Sequence, residues 1–502
     1  MKAVFLKGTF LVLAASLVGT LTFGADATSS TSTTTVKRPM VMVDGYVGTF
    51  SKFGFNNTPV DATKDKYPTE SFTSLITQLD LNIDPSQKFG WEDTSLTFDI
   101  GATLGGLAYD STKFDNNGTN GGGLAFNYFG YRDGYFRNAQ VATGNNTRNI
   151  IVHNAYVDFK SKYFDFKGGR YESDADYLSG YNQGFSTDVH YKFGGNNEAK
   201  LWWMSSWGRG LAYSRWFYDF YSESGGWQKD NFSGLHFAGL DLTFANADNT
   251  RNILIRPFVE FANNIFTQVG GKVVATFGDY NFKSKTHLQG YWVGLTNAMM
   301  ADPSMLGATG TGVNAKLFGE TLDQNSFNLA LVQTFYVKDF DFGLGLYKNF
   351  GFANAIIGTT GNASFNTYVD VNANSVYAYG RDYINALARN AFTVYGFVGG
   401  THNVGIGNLT WNLQYRNTVA PRANENSVSL DIYQQFKDFG VGLNLVYLGV
   451  NTNAGYAVGP LFTGNAATLA KRYDDRSHAY FYIDYKFSSG VRNFMKTSYT
   501  KI

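Results

Sequence analysis

The sequence contains no cysteine, which excludes disulfides and suits an oxidising compartment in which stray thiols are a liability. Charged residues make up only 16% of the chain and the net charge is +1. This balance excludes the basic stripe that a nucleic-acid-binding protein needs to neutralise phosphates. Beyond the N-terminus no run of 18 or more apolar residues occurs, so a helical membrane span is excluded as well.

Aromatic residues and glycine are abundant instead. The chain of 502 residues has 33 tyrosines, 44 phenylalanines and 56 glycines, but only 8 prolines. Aromatic side chains suit the pleated surface of a sheet, and glycine tolerates the positive φ angles of tight turns. The composition therefore predicts an all-β protein with many turns.

The N-terminus has the features of a secretory signal. Lys2 and Lys7 precede the apolar run GTFLVLAASLVGTLTF, which ends shortly before the small-residue pattern Ala25-Asp26-Ala27. We interpret 1–27 as a signal peptide, with an N-terminal membrane anchor as the alternative, and 28–39 as a polar low-complexity leader. An exported chain of this composition is either a soluble all-β protein or an outer-membrane barrel.

Strict alternation of apolar and polar residues decides between these two classes. In SVSLDIYQQFKDFGVGLNLVYLGV (427–450), alternating segments flank a turn at Lys437-Asp438, and 326–350 repeats the design around Lys338-Asp339. This pattern is typical of hairpins with one apolar and one mixed face. Aromatic residues such as Phe340 and Phe439 cluster at the hairpin ends, where a membrane interface favours them.

The same pattern predicts eighteen strands along the chain, an even number as a closed bacterial barrel requires. They lie near 40–50, 71–84, 91–107, 148–160, 163–170, 185–194, 198–207, 234–245, 252–264, 270–284, 287–297, 326–337, 340–350, 391–401, 407–417, 427–437, 439–449 and 478–487. Short connections alternate with long ones at 51–70, 108–147, 208–233, 298–325, 351–390 and 450–477. We therefore predict an all-β fold: a transmembrane antiparallel β-barrel of about eighteen strands over 40–487, with short periplasmic turns and long extracellular loops. Residues 488–502 are interpreted as a periplasmic extension, with an extra strand as the alternative.

The strand phase opposite the apolar phase gives the predicted lumen wall. It includes the following charged residues: Asp80, Asp99, Asp188, Lys192, Arg256, Glu260, Arg416, Asp484 and Lys486. Charges of both signs on one wall favour a hydrated path for polar solutes, although each of them is also explained as a solvated lumen residue without a selective role.

The stretch GRYESDADYLSGYNQGF (169–185) is predicted as a third outer loop that is short and dense in charge. In wide porins one loop folds inward and its charges set selectivity. Arg170, Glu172, Asp174 and Asp176 are the candidate constriction charges. The alternative is an exposed loop whose charges face bulk solvent.

The segment FKGGRYESDADYLSGYNQGFSTDVHYKFGG (166–195) resembles the OprD-type porins around 160–195. With LGGLAYDSTK (104–113) and YFGYRDGYF (128–136), most of the mature chain is similar to the Hof outer-membrane family of Helicobacter. The resemblance implies an eighteen-stranded barrel with an inward third loop and a channel for small, often anionic or zwitterionic solutes. It also implies a row of inward basic residues, for which the candidates are Lys192, Lys200, Arg256 and Arg416. The third loop is more acidic here than in OprD-type porins, which puts an anion preference in doubt.

The predicted function is an outer-membrane, porin-like channel for diffusion or selective uptake of small polar or charged solutes. A surface adhesin acting through the long loops 108–147 and 351–390 is the alternative, and Arg381 and Arg389 are candidates for the far side of the constriction. The six histidines show no zinc-binding spacing and no serine lies in G-x-S-x-G, so no enzyme, cofactor or metal site is expected. Expected partners are outer-membrane lipid, lipopolysaccharide and small solutes. A homotrimer and host-surface contacts are compatible with the sequence, which identifies neither.

Overall fold

Alternating strands form one closed antiparallel barrel in the structure, which is a computed structural model. It describes residues 40–488 except 92, 112–128, 131–148, 174, 176–177, 179, 222–232, 304–309, 318, 356, 358–386, 458–461 and 463. Of the predicted segments, the signal peptide, the leader and the C-terminal extension from 489 onward therefore lie outside the described residues, whereas Ser488 is described as part of a strand. No described helix is long and apolar enough to cross a membrane.

The barrel has eighteen strands, each paired with its sequence neighbours. They are β1 Val41–Gly54, β2 Phe72–Ile83, β3 Ser95–Asp110, β4 Ile150–Lys160, β5 Phe164–Glu172, β6 Tyr181–Lys192, β7 Glu198–Ala212, β8 Leu235–Ala245, β9 Arg251–Ala262, β10 Phe266–Gly278, β11 Lys283–Leu295, β12 Asn325–Val337, β13 Phe340–Gly351, β14 Phe392–Asn403, β15 Asn408–Val419, β16 Ala423–Gln435, β17 Phe439–Thr452 and β18 His478–Ser488. Strand β18 pairs with β1 from Asp44↔Ser488 to Gly54↔His478, so the sheet has no free edge. The predicted fold class is confirmed.

Smaller elements lie in the connections. The helices are α1 Ser86–Phe89 and α2 Asn297–Ala301, and 3₁₀ turns occupy Gly312–Asn314, Ala353–Ala355 and Ala466–Thr468. Short extra strands are Phe129–Gly130, Phe217–Tyr221, Lys316–Leu317, Glu320–Thr321 and Arg472–Asp475.

The outward face is apolar and its ends are aromatic. Leu201 and Leu344 on this face are 63% and 72% exposed, as lipid-facing side chains must be. Exposed aromatic side chains such as Phe340 and Phe439 lie near the periplasmic turns, where the pattern predicted them. In β18, Phe487 lies directly opposite Gly45, and a Cβ at that glycine would lie 2.0 Å from the phenylalanine ring. A glycine at this position therefore makes room for the last aromatic residue of the barrel.

Three outer connections are short, although the predicted alternation of short and long connections requires long loops on the outer side. Only three residues separate β9 from β10, because Asn264 adopts a left-handed conformation with φ of 63°. Three residues around Pro421 join β15 to β16, and eight residues join β5 to β6. The predicted strands 270–284 and 287–297 were wrong by about four residues, since the turn lies at 279–282 after Gly278.

Candidate solute pathway

Polar side chains point inward along nearly every strand. On β2, Asp80 and Asn82 are buried in the lumen, whereas Leu79 on the other face is 51% exposed. On β6, Val189 and Tyr191 are exposed outward, which places Asp188 inward as predicted. The lumen wall is thus built by period-2 alternation, in the phase that the sequence indicates.

Three basic residues on neighbouring strands form a basic arc, which we define as Lys200, Arg256 and Lys272. Arg256 lies directly opposite Lys272, and Lys200 lies opposite Asp241. The Arg256 guanidinium donates from Nε and Nη2 to the two oxygens of Asp241, at 2.7 and 2.6 Å. Trp202 Nε1 donates to the same carboxylate at 2.8 Å. The bidentate pair and the indole hold Arg256 in one orientation on the wall.

Acidic residues lie on the other side of the lumen and form an acidic arc. Its members are Asp44, Asp80, Asp99, Asp431 and Asp484, on β1, β2, β3, β16 and β18. Asp44 and Asp80 lie directly opposite each other across a strand pair. Because β1 and β10 are nine positions apart in a ring of eighteen strands, the two arcs face each other across the lumen. Opposed charges of this kind produce a transverse field.

The acidic arc is held by hydrogen bonds from neighbouring strands. Asp80 Oδ1 lies 3.0 Å from His153 Nε2 and accepts from Asn154 Nδ2 at 2.8 Å. His153 Nδ1 in turn lies 2.9 Å from Thr103 Oγ1. Buried carboxylates are costly unless they are paired or hydrogen-bonded, and this network meets that requirement.

The fourth outer connection bends into the lumen. We define the crossing hairpin as residues 208–221, the end of β7 and the short strand Phe217–Tyr221 that pairs with it. Gln78 Nε2 of β2 donates to Ala212 O at 2.5 Å, and Ser74 Oγ donates to Ser214 O. These partners lie on a strand five positions away from β7, so the hairpin spans part of the lumen.

Arg215 and Phe217 anchor the crossing hairpin to the opposite wall. Arg215 Nη2 donates to Tyr480 OH of β18 at 3.2 Å, and its guanidinium lies 4.7 Å from the centre of that ring. Phe217 is fully buried in a cluster with Tyr46, Ile76 and Ile151. A cation–π contact and a buried aromatic side chain together stabilise the crossing.

The third outer connection differs from its prediction. Strand β5 continues to Glu172 and β6 begins at Tyr181, so Arg170 and Glu172 lie in a strand and not in a loop. The strand pairing continues to Glu172, which lies opposite Tyr181, and Arg170 Nε donates to Gln183 Oε1 of β6 at 2.9 Å. Asp174 and Asp176 lie outside the described residues, so their part in a constriction stays a prediction.

Both strand residues contact the fourth connection. The Arg170 guanidinium lies 4.3 Å from the Phe220 ring centre, and Tyr213 OH donates to Glu172 Oε1 at 3.0 Å. Both contacts support the crossing hairpin, and a part for Arg170 and Glu172 in a constriction stays a prediction.

Apolar residues of three outer connections form a cluster inside the outer half of the lumen. Leu178 of the third, Met299 and Leu317 of the sixth, and Phe352 and Leu387 of the seventh are buried together against inward residues of β8 to β14. The outer half is thus narrowed by apolar packing, and the periplasmic half has the charged arcs.

The remaining predicted residues are spread over the barrel. Lys192 is exposed at the periplasmic end of β6, and Arg381 lies outside the described residues. Arg416 is buried on β15, and its Nη2 lies 3.5 Å from Glu425 Oε2, which is buried as well. Of the predicted basic row, Lys200 and Arg256 come together, while Lys192 and Arg416 do not join them. Lys272 was missed, because the shifted strand prediction hid its register with Arg256.

Asp165, Asp188 and His190 converge on the inward face near the periplasmic end of β5 and β6. Their ligand atoms lie within 4.8 Å of one another, and His190 Nδ1 lies 2.8 Å from Asp188 Oδ1. Among the described residues this is a group whose donor set could hold a divalent cation. The absence of a metal site stays a prediction.

The family model described as "Putative outer membrane protein" matches residues 27–487 of the chain. The chain belongs to this family. Its members are outer-membrane proteins by description, which agrees with the apolar, aromatic-edged wall and confirms the predicted location. No curated protein matches the chain.

Solved structures match the barrel of this family member over nearly its whole length. OccAB4 of Acinetobacter baumannii aligns with a TM-score of 0.56 at 10% identity, covering 90% of this chain and 99% of that one. The BenF-like porin of Pseudomonas fluorescens Pf-5 aligns with 0.56 at 10% identity, covering 89% and 98%. OpdK of Pseudomonas aeruginosa, solved with vanillate, aligns with 0.53 at 10% identity, also covering 89% and 98%. At this identity the likeness establishes the fold.

Glu320 of the sixth outer connection gives a pH-dependence that can be measured. Burial raises the pKa of this carboxyl above its usual range, although the nearby Arg422 and Arg389 partly oppose the shift. Because the pKa of Glu320 is higher in the folded than in the unfolded state, the protonated carboxyl stabilises the fold. This contribution is fully present below the unfolded pKa and is lost as pH rises through the folded pKa. We expect the protection of backbone amides around 320–323 against hydrogen exchange to fall as pH rises through this range. After correction for intrinsic exchange, Glu320→Gln should remove the fall; the same decline in the variant would contradict the assignment.

Proposed function

We propose that the protein is an outer-membrane channel for small polar or charged solutes, narrowed inside its own lumen by outer connections. The observation that carries the proposal is the pair of opposed charged arcs on the inner wall of a closed eighteen-strand barrel. A barrel of this size encloses an aqueous space unless other parts of the chain fill it. The field between the charged side chains of its inner wall favours polar or charged solutes over apolar ones.

The crossing hairpin narrows the lumen, so small solutes pass beside it and large ones are excluded. Solutes pass the hairpin and the apolar cluster first, and then the transverse field between the two arcs. The barrels similar in fold include one titled a porin and one solved with vanillate. This supports a channel for small molecules. The predicted third-loop constriction, with Arg170, Glu172, Asp174 and Asp176 as its charges, remains part of the proposal, and Leu178 of the same loop is buried in the apolar cluster.

The basic arc should control ion preference in a measurable way. Replacing Lys272 with Gln removes one positive charge from the lumen, so cations should permeate more easily relative to anions. Under a salt gradient the reversal potential is expected to move toward the equilibrium potential of the cation. Lys338→Gln is the matched control, because Lys338 is exposed in a periplasmic turn. Equal shifts in both variants would mean that the arc does not line the path.

We also propose that the protein has no catalytic role. The hydrogen-bonded series Thr103, His153 and Asp80 has the residue types of a nucleophile, a base and an orienting acid. Thr103 is fully buried and His153 is only 1% exposed, so a substrate cannot reach them. Their position on the wall supports a structural role for the acidic arc.

The adhesin alternative rests on two loops, 108–147 and 351–390, that lie largely outside the described residues. Deleting the tips of these loops distinguishes an adhesin from a channel. Lost host-cell binding with unchanged conductance would favour adhesion. A homotrimer and host-surface contacts likewise stay predictions.

A further inference from the structure

Two tyrosines of the inner wall lie against glycines of the strand between them. Tyr433 of β16 and Tyr482 of β18 are both directly opposite Gly442 of β17, one from each side. A Cβ at Gly442 would overlap the Tyr482 ring, and a Cβ at Gly440 would overlap the Tyr433 side chain. The two rings are nearly parallel, with an angle of 14° between them and 5.9 Å between their centres. The glycines therefore let both rings lie low on the wall, in the periplasmic half of the lumen.

Tyr433 is the ring of this pair that a solute can reach. Tyr482 is 4% exposed and packs in a cluster with Phe50 and Tyr480, whereas Tyr433 lies at the edge of that cluster and is only partly buried. The Tyr433 hydroxyl donates to Asp484 Oδ1 at 3.0 Å, which holds the ring in its orientation. A fixed aromatic ring with part of its surface open is an apolar platform inside a polar wall.

Two asparagine side chains lie one step further from the periplasmic turns. Asn412 of β15 and Asn444 of β17 are both directly opposite Asp431 of β16. Asp431 is two residues from Tyr433 on the same face of its strand, a spacing of about 7 Å. Asn444 Nδ2 donates to Asp431 Oδ2 at 3.0 Å. The amides and the carboxylate therefore form a polar row beside the Tyr433 ring.

This polar row has acceptors that the protein does not use. Asn412 and Asn444 are 2% and 3% exposed, and neither Oδ1 atom has a hydrogen-bond partner among the residues that the structure describes. A buried acceptor without a partner costs free energy that a donor from a solute would recover. Both oxygens therefore point to a ligand that carries hydrogen-bond donors.

The charges around the polar row are balanced. Asp484 Oδ2 lies 4.0 Å from Lys486 Nζ, and the Arg215 guanidinium of the crossing hairpin attracts the Asp431 carboxylate. Two carboxylates thus stand against two cations in this part of the acidic arc. Without a net charge the site favours a neutral solute over an ion, and Asp431 can still accept hydrogen bonds from hydroxyl groups.

An aromatic platform beside amide and carboxylate oxygens matches the chemistry of a sugar ring. A pyranose with equatorial hydroxyls has only C–H groups on its flat faces, and its hydroxyls lie around the edge, where each can donate and accept. The face can lie on an aromatic ring while the edge supplies donors to the wall. An acyclic polyol has the same hydroxyls but lacks the flat face.

We propose that Tyr433, Asp431, Asn412 and Asn444 form a binding site for a neutral pyranose sugar on the solute path. One face of the sugar lies on the Tyr433 ring, and its hydroxyls donate to Asn412 Oδ1, Asn444 Oδ1 and the Asp431 carboxylate. This site gives the proposed channel a class of solute, and its part in uptake rests on that proposed function.

The test uses the mature chain, refolded in a detergent without a sugar headgroup. The probe is methyl β-glucoside, sorbitol is the acyclic control, and choline chloride is the cationic one. Titrations followed by saturation-transfer difference NMR measure the three affinities. The glucoside is expected to bind at millimolar concentration, and sorbitol and choline should bind more weakly.

Variants of the platform and of the polar row locate the binding. Tyr433→Leu removes the ring and should weaken binding of the glucoside roughly fivefold, whereas Tyr433→Phe keeps the ring and should retain most of it. Asn444→Leu removes an acceptor and should also weaken binding. The matched controls are Tyr395→Leu and Asn328→Leu, which should leave binding unchanged. Tyr395 lies over Gly345 in a similar way but is buried in the apolar cluster, and Asn328 is a fully buried amide on β12.

Folding of each variant is checked by the heat-dependent gel shift of the barrel, and Asn444→Leu decides if Tyr433→Leu does not fold. Equal binding of the glucoside and sorbitol, equal loss in the control variants, or tighter binding of choline would overturn the proposal. Bilayer recording separates the sugar site from the channel itself. Ionic steps without binding of the glucoside would overturn the sugar site alone, and binding by folded protein that gives no steps would overturn the channel alone.

Discussion

Replacing Ala212–Phe217 with a short Gly-Ser linker is expected to raise the single-channel conductance severalfold. This segment contacts inward residues of β1, β2 and β18 that are distant in sequence by 134 to 265 positions, as Gln78 and Tyr480 show. Removing it takes backbone, the Arg215 guanidinium and the Phe217 ring out of the lumen and leaves water in their place. The measurement is the step size in a planar bilayer at fixed salt.

The matched control replaces Thr311–Asn314 of the sixth connection, where Val313 is 88% exposed and points away from the lumen contents. That replacement should leave the conductance unchanged. Because the chain has no cysteine, Ser74→Cys with Ser214→Cys gives a second arm, in which a disulfide forms only if the hairpin lies against β2. The oxidised pair should retain the low conductance of the native protein. Unchanged steps after removal of the hairpin would show that it lies outside the conducting path.

Arg416→Met should lower the free energy of unfolding by about 3–5 kcal/mol, the range seen when one partner of a buried ion pair is removed. Arg416 and Glu425 are 1% and 0% exposed in their side chains. The single variant leaves the Glu425 carboxylate buried without this guanidinium. The double variant Arg416→Met/Glu425→Met removes both charges and should recover most of the loss. Urea titration of the refolded barrel in detergent micelles measures both.

Arg256→Met is the comparison, because the Arg256 side chain is 18% exposed and partly hydrated, so its loss should cost less. Measuring the reversal potential of the Arg416→Met variant as well as its stability decides the role of Arg416, for which the resemblance implies a place in a row of basic residues that guides solutes. If Arg416→Met shifts the reversal potential more than Lys272→Gln and leaves stability unchanged, Arg416 lines the path and its structural role is wrong.

The strands were predictable because burial on one face imposes a period of two on the sequence. All eighteen were located by this pattern, and inward residues such as Asp80, Asp188 and Arg256 followed from the phase. The pattern does not report where a strand ends. The Asn263-Asn264 turn between β9 and β10 was missed because the residues on both sides of the two asparagines are mixed polar and apolar. Such a pattern fits the end of a strand as well as it fits a turn.

The crossing hairpin could not be predicted, since it depends on contacts between residues far apart in the chain. Nothing local in 208–221 distinguishes an extracellular loop from one that turns inward. The partners of Arg215 and Phe217 lie on β1, β2, β4 and β18, and only the closed ring brings these strands around them. The sequence instead favours the charge-rich third connection as the constriction, because charge can be read from the sequence and an inward bend cannot.

The most direct test of the channel is single-channel recording of the refolded mature protein in a planar bilayer, with the reversal potential under a salt gradient. Discrete, ohmic steps are expected, with a conductance below that of the hairpin-deleted variant and a reversal potential that Lys272→Gln moves toward the cation. Silence from protein that shows the heat-dependent gel shift of a folded barrel, both intact and after removal of the hairpin, would contradict the proposed function.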